Sequence, residues 1–224
     1  VIDLHRKYIN AGADIITTNT FRTNPIAFRT AKLKITNEEF VKSAVGIALE
    51  ARGDKKIVIA GSNAPAEDCY QKERTITNDE LKKNHCEHIN YLWKHGCDII
   101  WNETISHFDE IEIICEYCSS NHIPFTLNIY LNKDLKLLSG EKLDEVIEFI
   151  KPYKPAAIGF NCIHSNLLNN IFENHKVNYH WGFYLNCGSG RFQDKEITCA
   201  VSPMEYWNEA NKYLKYSPLY IVSF

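Results

Sequence analysis

Short apolar, β-branched runs alternate along the chain with stretches whose apolar positions recur at helical spacing. Residues 1–11 read as an amphipathic helix, with Leu4, Tyr8 and Ile9 on one face and Gly12 as its stop. DIITTNT (14–20) is a strand, and 25–33 and 37–52 are helices, the second placing Phe40, Val41, Ala44, Ile47 and Ala48 on one stripe. KIVIAGS (56–62) is a strand opening into the polar loop NAPAEDCYQKERTIT, after which Thr77 or Asn78 caps a helix to His95. Strands follow at 98–104, 124–130, 156–161, 178–186 and, beginning only, 219–224. Helices between them span 106–121, 140–150, 165–175 and 203–214.

Seven strands alternating with helices at this spacing predict one α/β domain over 1–224, with a parallel sheet covered by helices. A helix ahead of the first strand predicts a (β/α)8 TIM barrel that lacks strand 1 and the end of strand 8 within this chain. A doubly wound nucleotide fold is disfavoured, because no G-x-G-x-x-G or phosphate loop follows any strand. GSGR (188–191) reads as a turn.

Composition narrows the partners. A net charge of −3 gives no electrostatic reason to expect nucleic acid, and no apolar run approaches the roughly 18–20 residues of a membrane span. Eight cysteines without an apolar leader suggest reduced thiols and a cytoplasmic location. Cys115 and Cys118 share a buried helix stripe with Ile111 and Ile114. His85, His88 and His95 lie on one helix and read as core or surface residues rather than a metal triad, while His180 and Trp181 are expected to fill space.

The chemistry gathers at the C-terminal ends of the strands. Those ends carry Thr18, Asn19 and Thr20; Ser62 and Asn63; Asn102, Glu103 and Thr104; Asn128; Asn161 and Cys162; Asn186 and Cys187. Amides and hydroxyls converging at one mouth suit a small zwitterionic ligand, since each partly buried polar group needs a partner. Glu103 is the only carboxylate of this ring, which argues against paired-carboxylate glycoside hydrolysis. No G-x-S-x-G elbow is present; Cys162 and His164, two apart, are a conceivable nucleophile pair.

AGADIITTNTFRTNP, VIAGSNAPAEDCY, NETISHFDE, FTLNIY…LLSGE and GFNC, in this order and spacing, resemble the homocysteine S-methyltransferase family over essentially the whole chain. The resemblance implies a (β/α)8 barrel that transfers a methyl group to homocysteine sulfur with a zinc ion held by three cysteines. It implies Cys162 as the first zinc ligand and Glu103 as the catalytic carboxylate that receives the amino group. Asn19, Thr20, Ser62, Asn161 and Asn186 would line the substrate pocket. The family's Gly-Gly-Cys-Cys pair is missing here, and so is its first-strand Asp-Gly-Gly turn. A sequence trimmed at both ends is expected, with the other two zinc ligands beyond Phe224; Cys187 is a remote second candidate. The implied partners are homocysteine and a small onium donor such as S-methylmethionine, with oligomerisation left open. The competing reading is a metal-free barrel that binds an amino acid or a protein partner and has lost catalysis.

Overall fold

The computed structural model describes residues 1–175, 177–186 and 201–222. In chain order they form α1 (Ile2–Asn10), β1 (Ile15–Thr17), α2 (Pro25–Thr30), α3 (Asn37–Arg52), β2 (Val58–Asn63), α4 (Asn78–Lys94) and β3 (Ile99–Ile105). Then come α5 (Phe108–Ser120), β4 (Phe125–Ile129), α6 (Leu143–Ile150), β5 (Ile158–Ile163), α7 (Ser165–Asn174), β6 (Trp181–Leu185), α8 (Pro203–Asn211) and β7 (Tyr220–Ile221). Three helices start at capping boxes written in the sequence. Thr36 with Glu39, Thr77 with Glu80 and Ser202 with Glu205 each satisfy two otherwise orphaned backbone donors.

All seven strands are parallel and pair in sequence order, β1 to β7. The sheet is curled. Four strand spacings separate β3 from β7, roughly 19 Å in a flat sheet, yet the rings of Trp101 and Tyr220 lie 4.6 Å apart. The Tyr220 hydroxyl also hydrogen-bonds Asn128 of β4. Side chains from β3, β4 and β7 therefore meet on one concave face, as in a partial TIM barrel. Glycines make room for this meeting: a Cβ at Gly159 would strike Asn128, and one at Gly182 would fall on the Tyr220 ring. On the convex face, Ile111, Ile114, Cys115 and Cys118 of α5 are fully buried, as their spacing predicted.

Several boundaries differ from the sequence reading for physical reasons. Helix α6 starts at Leu143 because Lys136 and Lys142 first form an antiparallel bridge, and the Leu143 amide bonds to Leu135. Strand β6 starts at Trp181; Trp181 is buried, but His180 is exposed and fills no space. Strand β5 does not stop before Cys162 but runs through it to Ile163. The GSGR turn and Cys187 lie outside the described residues.

A buried polar layer joins the sheet to α4. His88 bridges Asn63 Oδ1 at 2.8 Å and the Thr23 hydroxyl at 3.0 Å, and Asn63 donates to Asn102 Oδ1 at 2.8 Å. Asn63 and Asn102 thus serve this layer and do not join the ring at the mouth. Burial, reinforced by the nearby His85, pushes His88 down to about 3.

Two outcomes are expected. Gly182→Ala displaces the Tyr220 ring and lowers stability by about 1–3 kcal/mol, the usual cost of overpacking; an unchanged thermal midpoint would contradict the curled packing. His88 stays neutral when folded but charges in the unfolded chain below about 6.5, so its contribution to stability is lost as pH falls from there toward 3. Urea titrations across that range should show wild type losing stability relative to His88→Gln, by at most ~1.4 kcal/mol per pH unit. Parallel curves would count against it.

Candidate functional site

The site is built on two breaks in strand regularity. Thr104 in β3 (φ 57°) and Cys162 in β5 (φ 53°) both adopt the left-handed conformation. Each lies where register with the next strand shifts, between Asn102 and Ile105 and between Asn161 and Ile163. A bulge of this kind re-aims a side chain, and for a β-branched threonine the conformation costs on the order of 1–3 kcal/mol. The two bulges face each other, with Thr104 Oγ1 3.9 Å from Cys162 Sγ. Asn186 secures the second bulge by donating to the Cys162 carbonyl at 3.1 Å.

The half-buried thiol faces a wall the sequence reading missed. The Tyr70 hydroxyl is in hydrogen-bonding reach of Cys162, and Cys69, Tyr130 and Tyr184 are close enough to feel its charge. Tyr70 meets Tyr130 edge to face, with centroids 5.1 Å apart. The available signal was the Cys69-Tyr70 dipeptide inside an otherwise polar loop. Burial pushes the Cys69 thiol up to about 12, with the neighbouring Cys162 adding to the effect. Cys69 therefore remains protonated at neutral pH. His164 is exposed and opens α7, and no hydrogen bond joins it to Cys162 among the described residues.

Glu103 lies two residues beyond Trp101 and so shares the concave face. Burial pushes its carboxyl up to about 7, while the Ser62 hydroxyl nearby favours the charged form. Among the described residues, Ser62 Oγ nevertheless makes no hydrogen bond of good geometry. Asn161, two residues beyond Gly159, is 2% exposed, and among the described residues neither its amide nitrogen nor its oxygen has a partner. A buried amide with both ends unspent calls for an explanation. The remaining predicted residues divide. The Thr20 hydroxyl is committed to the Ser62 carbonyl at 2.7 Å, closing a Thr18–Thr20–Ser62 clamp. Asn19 is exposed at the same end of β1.

Together, among the described residues, these groups bring an acid, an unspent amide, the Cys162 thiol and aromatic faces to a single mouth. Cys162 suits a thiophilic metal as one ligand, but zinc sites take three or four protein donors. Among the described residues no group of three histidine, cysteine or acidic side chains could hold a metal ion. The described donors do not by themselves complete a zinc site.

Known proteins match this architecture. The Escherichia coli homocysteine methyltransferase MmuM, in its metallated form, superposes with a TM-score of 0.73 at 22% identity, covering 84% of this chain and 72% of that one. A selenocysteine Se-methyltransferase of Brassica oleracea var. italica is 25% identical over 187 residues, which are 71% of this chain and 54% of the relative. Homocysteine S-methyltransferase 1 of Arabidopsis thaliana is 24% identical over 195 residues, 76% of this chain and 60% of the relative. The chain thus spans little more than half the length of these curated relatives. The sequence profile described as "Homocysteine S-methyltransferase" matches residues 1–222. With that match spanning nearly the full sequence, the chain belongs to the homocysteine S-methyltransferase family.

Proposed function

We propose that the protein containing this chain is an enzyme that transfers a methyl group from a small onium donor to the sulfur of homocysteine, or of a close thiol or selenol analogue. The observation that carries this reading is the bulge that turns Cys162 into the mouth beside Glu103 and the unpartnered Asn161. Glu103, once ionised, attracts the substrate ammonium, and the Asn161 amide is free to hold the amino-acid carboxylate. Tyr70, Tyr130 and Tyr184 present aromatic surface to a sulfonium or ammonium donor, a favourable cation–π environment. Zinc is the proposed cofactor, with Cys162 as one ligand and the others outside the described residues; when bound, it would keep the substrate sulfur deprotonated. The balance of the transfer is simple. A carbon–sulfur bond forms to the substrate thiolate, the bond from methyl to the onium centre breaks, and its electron pair leaves with the neutral product.

In the full-length protein, Cys162→Ala should abolish methyl transfer and zinc retention while leaving the circular dichroism spectrum unchanged. Retained transfer would remove Cys162 from the site. Only ionised Glu103 attracts an ammonium, and burial pushes its carboxyl up to about 7. Calorimetric homocysteine affinity should therefore tighten as pH rises toward about 7 and level off above it, with Glu103→Gln binding weakly and without this pH dependence. A wild-type affinity already flat between pH 5 and 7 would show that Glu103 does not contact the amino group. Were binding to survive while zinc and transfer were absent from wild type, the metal-free amino-acid-binding barrel would become the better reading.

A further inference from the structure

The loop carrying Cys69 and Tyr70, residues 64–77, is fastened from behind by a residue whose side-chain partners among the described residues, Ala66, His85 and Arg74, lie outside the mouth. Glu110 of α5 is 2% exposed. Its Oε1 accepts the Ala66 amide at 3.0 Å and lies 3.2 Å from His85 Nε2 of α4, and Arg74 approaches it at 3.6 Å. Arg74 also pairs with Asp109 at 2.6 Å, so the two ends of the loop are held by consecutive residues of one helix. Burial alone would raise the Glu110 carboxyl, but the His85 hydrogen bond, the Ala66 amide and Arg74 outweigh it and hold it below the usual range. The middle of the loop places the Tyr70 hydroxyl against Cys162 and buries Cys69 beside it.

We propose that Glu110 is a positioning residue that sets the reactive centre by clamping the 64–77 loop, through Ala66 and Arg74, over Cys162. Its functional meaning rests on Cys162 being the reacting centre; the clamp itself does not. Helix α5 stays packed through Ile111, Ile114, Cys115 and Cys118 without this carboxylate, so its loss releases the loop rather than the domain.

The test is alkylation of single cysteines by iodoacetamide at fixed pH with chelator in every sample, read by peptide mass spectrometry on the full chain. In Glu110→Gln and in Arg74→Ala, Cys162 should react about tenfold faster, equivalent to ~1.4 kcal/mol in the loop-opening equilibrium. Cys97, Cys115 and Cys118, buried away from the loop, should keep their wild-type rates. An unchanged Cys162 rate in either variant overturns the proposal. So does a rise of the three core cysteines in step with Cys162, which would make Glu110 a stability residue only. If Glu110→Gln does not fold, Arg74→Ala decides alone. The expected alkylation pattern in a protein that neither holds zinc nor transfers methyl groups would support the clamp while refuting the catalytic reading.

Discussion

The mouth of this barrel depends on two left-handed residues in adjacent regions of the sheet. Without them, strand alternation would send the side chains of Thr104 and Cys162 to the helix-covered face, and the thiol would become one more buried cysteine like Cys115. The strain is held by ordinary ladder bonds on either side of each bulge and by the Asn186 bond to the Cys162 carbonyl. Everything that approaches Cys162, from Thr104 to Tyr70, is placed relative to a backbone that has stepped out of register.

Two polar systems flank that backbone and differ in how fully they are satisfied. On the helix side, His88, Asn63, Asn102 and Thr23 bond to one another, to backbone carbonyls and, through His85, to Glu110, a network that rigidifies the layer under α4. On the concave side, Asn161 and the Ser62 hydroxyl are left unspent, and Glu103 is held in an environment that penalises its charge. The proposed chemistry uses the second side, where buried polar groups have fewer partners among the described residues.

The strands, their parallel order and the capped helices were legible because hydrophobic period and capping residues act locally. Thr77 marks its helix start within the segment it opens, while the equally local caps Thr36 and Ser202 were not singled out in the sequence. Cys162 and Glu103 were legible as strand-end residues, and the resemblance gave them roles. The bulge was not, because a left-handed cysteine follows from its pairing with β6 rather than from GFNC itself. The aromatic wall escaped for a similar reason: Tyr70, Tyr130 and Tyr184 come from three separate elements. The amides Asn63 and Asn102 were placed at the mouth because neighbours of Ser62 and Glu103 look alike in sequence, although one residue's step reverses the face.

The strict order of the sheet also bears on how the chain assembles. Each strand pairs with the one made just before it, so β1 to β6 can accrete in the direction of synthesis, each step closing one helix-containing crossover. The contacts of Tyr220 break this locality, since its bond to Asn128 spans 92 residues. Curling of the sheet therefore joins segments far apart in the chain, the contacts that carry the larger loop-closure cost.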